Sequence, residues 1–494
     1  MPSLNLKSIK KMQVNKEVVT TPIVFTEGQK RAIDGLTEFI NSSFNREKFI
    51  YGLTGAAGVG KTFALNYIIN RCKYAPSVIR CTAPTHKACR VFSQAMNGLP
   101  SFTIQATFGF RLNVNIADFD YKNPAFTPVA KPKLDNIVLL IVDESSMLNK
   151  NLVEYIINTC KEKEIKVLFV GDSFQLPPVN EYTSSAFTKC NKVFNLTEIV
   201  RQDDNNPIRF LLDVLRTDIQ KGTHKIIEYI ATHRGEITYN ENGEGYAIVG
   251  ENNFCELITT NFQDEEYVRN INKYKIIAYT NLKVTKWNNF VRNIIIEDNE
   301  RGIITKNDLM MSYVTLVDEY NAIIINNSEE YIINDIVNYT DHEYGFKGYL
   351  IKFQMVNGGQ ISSPLFVIDH TDRYTISKYV EVIEKLITKA KSASMGTRAN
   401  KWKDYYNFKN QYLISQNIIT REGVIKYPRD LDYGFAITSH RSQGSTYENV
   451  FVDATDIVYN QQGMMYTNMN DMLRRLYVAC SRAKKQLIIS FGSW

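Results

Sequence analysis

The stretch FIYGLTGAAGVGKTFALNYIINR, residues 49–71, decides the fold. Phe49 to Thr54 reads as a buried strand and Gly55 to Gly60 as a glycine-rich turn. Lys61 to Arg71 reads as a helix with Phe63, Leu65, Ile68 and Ile69 available for packing. Strand, glycine turn and helix make one βα unit of a parallel sheet. The turn matches G-x-x-x-x-G-K-[ST], with Gly55, Gly60, Lys61 and Thr62 at the fixed positions and Gly58 inside. Glycines let successive N–H groups face phosphate oxygens, and the helix N-terminus adds its positive dipole end. Lys61 reaches the β and γ phosphates, and the Thr62 hydroxyl ligates Mg²⁺.

Outward from this unit, IVLLIV (137–142) ends in Asp143 and Glu144, and KVLFV (166–170) ends in Gly171 and Asp172. Both runs are continuous rather than alternating, as strands covered by helices on both faces must be. With a helical pattern over Asn151 to Cys160 and a leading helix over Glu27 to Ile40, they predict a doubly wound α/β domain over about Val24 to Val200. The stretch from Ile104 to Pro132, rich in Asn, Phe and Pro, breaks the pattern and reads as a small insertion, a hairpin. A second α/β pattern begins at KIIAYT (275–280) and resumes at FAITSH (435–440), VFVD (450–453) and QLIIS (486–490). An insertion from Gly302 to Pro428 interrupts it, opening with β-like text and turning helical from Ile376 to Leu413.

The chain has 494 residues, too many for one hydrophobic core. Its 44% apolar and 22% charged residues exclude a disordered or collagen-like chain. Seven scattered Cys with no C-x-x-C pair exclude a disulfide scaffold and suggest a reducing compartment. No secretory signal or apolar run long enough for a membrane span is present, so a soluble, cytoplasmic protein is expected.

Asp143 and Glu144 stand at a strand's carboxyl end, where open α/β sheets place ligands. There an Asp can hold Mg²⁺ and an adjacent Glu can orient or deprotonate the attacking water. The bland alternative, a solvated strand end, loses ground beside the phosphate loop. Gln175, in VGDSFQLPPV (170–179), is either a γ-phosphate reporter or an ordinary loop residue. Arg201, in LTEIVRQ, and Arg482, in LYVACSRAKKQ, are candidates for the cation that hydrolysis needs at its transition state. Phe108, Phe110, Tyr279 and Trp287 are candidates for stacking on nucleic-acid bases or for the core.

Eight motifs in order carry a family resemblance: GAAGVGKT, APTHKACRVF (83–92), IVDESSML (141–148), GDSFQLPPV, LTEIVRQ, AYTNLKVTKWN (278–288), ITSHRSQGSTYENVFVD (437–453) and LYVACSRA (476–483). In these the chain resembles superfamily 1 DNA helicases of the 5'-to-3' branch. Its helical stretch, with WKDYYNFKNQY (402–412), is similar to the Dda type. The resemblance implies two RecA-like P-loop NTPase domains: 24–103 with 133–200, and 201–301 with 429–494. It also implies a β-hairpin pin at 104–132, an SH3-like β domain with a helical tower at 302–428, and a basic leader over 1–23. It implies an ATP- and Mg²⁺-dependent enzyme that moves along single-stranded DNA and opens forks. A phage setting in replication or recombination, a monomer, and a single-strand-binding protein or replisome components as partners go with it. Gln29 would read adenine; Lys61, Glu144, Gln175, Arg201 and Arg482 would act in hydrolysis; Thr62 and Asp143 would hold the metal. Pro84, Thr85, His86, Phe108 and His440 would line the DNA track. The rival readings are an ATP-gated DNA-binding or protein-displacing translocase and, on the phosphate loop alone, a small-molecule kinase.

The formal charge of +6 is unevenly spread. Residues 1–20 carry a net +3 and residues 371–410 a net +5. These two segments are the expected sites of phosphate contact outside the motor domains.

Overall fold

The computed structural model describes residues 25–492, apart from 57, 112–118, 121–125, 179–180, 182, 199–204, 297–301, 318–322, 357–360 and 421–422. The basic leader and Arg201 therefore lie outside the described residues, as do 112–118 and 121–125 of the expected pin.

The first domain is built on six parallel strands: β1 (Ile50–Gly55), β2 (Ile79–Ala83), β3 (Ser101–Thr103), β4 (Leu139–Val142), β5 (Lys166–Gly171) and β6 (Lys192–Leu196). Their spatial order is β3-β2-β4-β5-β1-β6. Every residue of β4 and β5 is buried, which is why their sequences read as unbroken apolar runs. One face is covered by α1 (Glu27–Asn41) and α2 (Lys61–Ile69), which pack Leu36, Phe39, Leu65 and Ile68 against Leu53, Ile141 and Leu168. The other face packs Leu140, Val142, Val167 and Phe169 against Leu152, Ile156 and the Phe108, Phe110, Phe119 and Phe126 group.

The second α/β domain has a six-stranded sheet ordered 436–438, 274–278, 447–453, 483–490, 245–249 and 237–239. All its pairings are parallel except the last. Between its strands the chain leaves to build a third sheet of six strands, antiparallel except where Leu365–Ile368 meets Tyr412–Leu413. Its last strand, Leu431–Tyr433, falls just past the expected boundary at Pro428. Two antiparallel helices, Arg373–Ser392 and Met395–Gln411, stand on this sheet over an aromatic core of Phe346, Phe366, Tyr379, Phe408 and Tyr412. Two α/β domains with an inserted β domain that carries a helical pair are the architecture the sequence predicts.

The stretch after Thr103 departs from that expectation. Ser101–Thr103 extends the first sheet, and Thr103 then caps a short helix, Ile104–Phe108, by accepting a hydrogen bond from the Ala106 N–H. The opening of the insertion is thus part of the domain core. Among the described residues no helix is long and apolar enough to cross a membrane.

Candidate functional site: a nucleotide cleft between two domains

The phosphate loop is shaped by its glycines. At Gly55 a Cβ would lie 2.5 Å from the Leu196 carbonyl oxygen, so only glycine lets β1 pass β6 here. Gly60 has φ +80°, and a Cβ there would lie 2.5 Å from Gln29 Nε2. Gly60 also caps α2 without a side chain, leaving the helix's first N–H groups directed at the loop. Lys61 Nζ donates to the carbonyls of Gly55 (2.6 Å) and Ala56 (2.9 Å), which curls the ammonium back over the loop.

Gln29 is 1% exposed. Its amide donates to the Val59 carbonyl at 3.1 Å and accepts from the Thr26 N–H, while Thr26 Oγ accepts from the Gln29 N–H. This reciprocal cap ties the start of α1 to the phosphate loop. It differs from the adenine-reading role that the resemblance implies, because here the carboxamide is buried and engaged with the loop.

β4 delivers Asp143 and Glu144 to the sheet's carboxyl edge. Glu144 sits at φ 48°, ψ 35°, a left-handed conformation uncommon for a residue with a Cβ and often found where a side chain is aimed for function. Burial raises the pKa of both carboxyls. For Asp143 the charge of Glu144 adds to the rise, while Lys61 opposes it. For Glu144 the opposition comes first from Arg482 and then from Lys61. Glu144 Oε2 and Gln175 Oε1 are both buried with no hydrogen-bond partner. Two carboxylates, a threonine hydroxyl and a loop of amides suit Mg²⁺ bound together with phosphates, since that ion takes one or two protein oxygens and leaves the rest to phosphate and water.

The second domain closes the cleft. Arg482, 3% exposed, donates to the carbonyls of Val478 (3.0 Å) and Ser445 (3.1 Å) and to Ser481 Oγ (2.8 Å), so its guanidinium is fixed while its charge acts on Glu144. Gly444 approaches the same carboxylate: a Cβ there would lie 3.8 Å from Glu144 Oε1. Sequence reasoning missed a clasp beside them. Arg474 Nη1 donates to the carbonyls of Ser173 (2.6 Å) and Gln175 (2.9 Å), Tyr477 donates to Asp172 Oδ2 (2.9 Å), and Gln443 donates to the Leu176 carbonyl (3.2 Å). The signal was present in the spacing, because residues three apart on the helix Met469–Cys480 share a face.

Of the expected DNA-track residues, Thr85 caps the helix α3 (His86–Ala95) by accepting from the Ala88 N–H, Pro84 is buried, and His86 is half-buried. His440 is half-buried in the second domain. Burial lowers the pKa of both imidazoles, so near pH 7 they offer hydrogen bonds rather than charge. Phe108 does not fit its expected role. It is fully buried against Phe110 and Tyr155, because the helix Ile104–Phe108 turns it into the domain core. Trp287 is likewise a core residue, 1% exposed and donating to Asp453 Oδ2 at 2.9 Å.

Two family models match the chain: "AAA domain" over residues 26–238 and "UvrD-like helicase C-terminal domain" over residues 433–490. "Uncharacterized protein R530" of Acanthamoeba polyphaga mimivirus is 25% identical over 94% of this chain and 99% of its own length. "ATP-dependent DNA helicase dda" of Enterobacteria phage T4 is 24% identical over 88% of this chain and 93% of its own. "ATP-dependent DNA helicase Pif1" of a Psychrobacter species is 24% identical over 86% of this chain and 66% of its own. Among solved structures, that of Bacteroides Pif1 bound to ssDNA aligns over 95% of this chain and 92% of that one, at 16% identity and a TM-score of 0.49. These near-equal identities do not single out the Dda type within the wider group. With the ordered motifs and the two-domain cleft, these matches make the chain similar to the Pif1-like helicases of superfamily 1.

Proposed function

We propose that the protein is an ATP-driven motor that moves 5' to 3' along single-stranded DNA and separates the duplex ahead of it. One observation carries this reading: Glu144, with an unpartnered oxygen on the first domain, lies in the field of Arg482 from the second. On this reading Glu144 accepts the proton of the water that attacks the γ-phosphate. Lys61 and Arg482 offset charge on the phosphoryl oxygens, and Gln175 and Arg201 sense the same group. Asp143 and Thr62 would hold Mg²⁺, which would supply positive charge against the phosphate oxygens. Because Arg482 comes from the opposite domain, hydrolysis requires closure. The clasp of Arg474 and Tyr477 on Asp172 to Gln175 then couples closure to the strand gripped by Pro84, Thr85 and His86 on one side and His440 on the other.

The pin at 104–132 would split the duplex, braced by the domain at 302–428. The T4 and mimivirus relatives favour a viral setting. There the motor would act as a monomer in the host cytoplasm on replication or recombination forks, beside a single-strand-binding protein or replisome components.

The test is ATP turnover with and without oligothymidylate. At least 10-fold stimulation is expected, with turnover abolished in Lys61→Ala. Turnover indifferent to DNA would reject the motor. Streptavidin displacement from single strands without fork opening would assign the chain to the protein-displacing translocases instead.

A further inference from the structure

Arg475 lies on the helix Met469–Cys480 and is 5% exposed. Its guanidinium carbon is 3.7 Å from the ring centre of Tyr279 and 5.0 Å from that of Tyr466, and the two rings meet edge to face at 5.3 Å. The Tyr279 ring is 6.2 Å from the imidazole of His440. Nη2 of Arg475 pairs with Asp471, but Nε and Nη1 are buried and have no hydrogen-bond partner. Orphaned donors on a buried cation are costly, and a residue that only supported the fold would not need them.

Nearby arginines are already committed. Arg474 holds two carbonyls of the first domain, Arg482 is fixed beside Glu144, and Arg441 lies 3.8 Å from the Tyr313 ring centre with Nη1 bonded to Asn327 and Ser328. His440 is neutral near pH 7, so Arg475 supplies the positive charge beside it. A guanidinium held between rings keeps its N–H edge for a ligand, and that edge suits phosphate oxygens. Tyr279, Tyr466 and His440 are each half-buried, so the cluster borders the surface. The Tyr466 backbone is anchored by its N–H bond to the Val458 carbonyl and its ring packs on the edge of the core, so uncovering the guanidinium requires the ring to turn and not the chain to move.

We propose that Arg475 is a gated phosphate contact of the single-strand track, binding a phosphodiester of the strand beside His440 once the Tyr466 ring turns aside. The inference rests on the DNA-motor reading.

The experiment is fluorescence anisotropy of labelled oligothymidylate across a NaCl series, using the full chain and its Arg475→Gln, Arg475→Lys and Tyr466→Ala variants. Each phosphate neutralised on a single strand contributes about 0.7 to the slope of log K against log salt. Arg475→Gln is expected to flatten the slope by about 0.7. Arg475→Lys should keep the slope while binding several-fold more weakly, because it keeps the charge and loses the fork. Tyr466→Ala should keep the slope and bind at least as tightly as wild type. An unchanged slope in Arg475→Gln, or equal flattening in all three variants, would overturn the proposal. If Arg475→Gln does not fold, Tyr466→Ala decides alone: retained slope and affinity support the gate, and weaker binding with a flattened slope overturns it. A wild-type protein without salt-dependent single-strand binding would instead refute the motor reading itself.

Discussion

At Gly60 a single hydrogen in place of a side chain satisfies two constraints, a left-handed backbone and the Gln29 amide at its back. An alanine there costs about 1–2 kcal/mol for the backbone alone, and its methyl group also collides with Gln29. Gly60→Ala should therefore weaken binding of a fluorescent ATP analogue by 10-fold or more. In a Gln29→Ala background the same substitution should cost measurably less, and strictly additive losses would refute the contact. Glu144 invites a second substitution. Glu144→Gln preserves shape but cannot take up a proton, so the same titration should find ATP bound while turnover falls by about 10²-fold or more. Near-normal turnover would remove Glu144 from the base role. Both residues were legible as members of motifs. The left-handed turn at Glu144 and the buried position of Gln29 were not, since they depend on what β4 and α1 pack against.

The element with the most consequential contacts is α3, which starts after its cap Thr85 and reaches the third sheet. Arg90 meets Glu329 at 3.2 Å and Lys87 meets Glu330 at 3.7 Å, while Glu330 is also paired with the fully buried Lys275 of the second α/β sheet. A charge-assisted bond of this kind is worth about 1.5–3 kcal/mol. Arg90→Glu should therefore lower DNA-stimulated turnover by about 10-fold or more, and the exchange Arg90→Glu with Glu329→Arg should recover most of it. No recovery would show that the pair does not hold the closed form. Such pairs join residues 239 positions apart and leave no local trace in the sequence. Strands show the same division. β4 and β5 were readable because they are apolar throughout, whereas Ile79–Ala83 (IRCTA) and Lys192–Leu196 (KVFNL) carry polar residues and take their place from neighbouring strands. Phe108 was misassigned for a related reason: one aromatic residue reads alike in a track and in a core, and only the cap at Thr103 turns it inward.

Across the whole molecule, the leader, the helical pair and the first α/β domain are each net basic, while the second α/β domain and the rest of the inserted β domain are net acidic, leaving +6 in all. Grip on DNA then draws on the basic first domain, while closure depends on Arg482, Arg474 and Tyr477 of the acidic second domain crossing to it. The central claim is that this closure drives directed strand separation. Its most direct test is rapid-mixing fluorescence on forks bearing only a 5' or only a 3' single-stranded tail, with ATP and Mg²⁺. The account predicts opening of the 5'-tailed fork alone. Opening of the 3'-tailed fork at an equal or greater rate would contradict it.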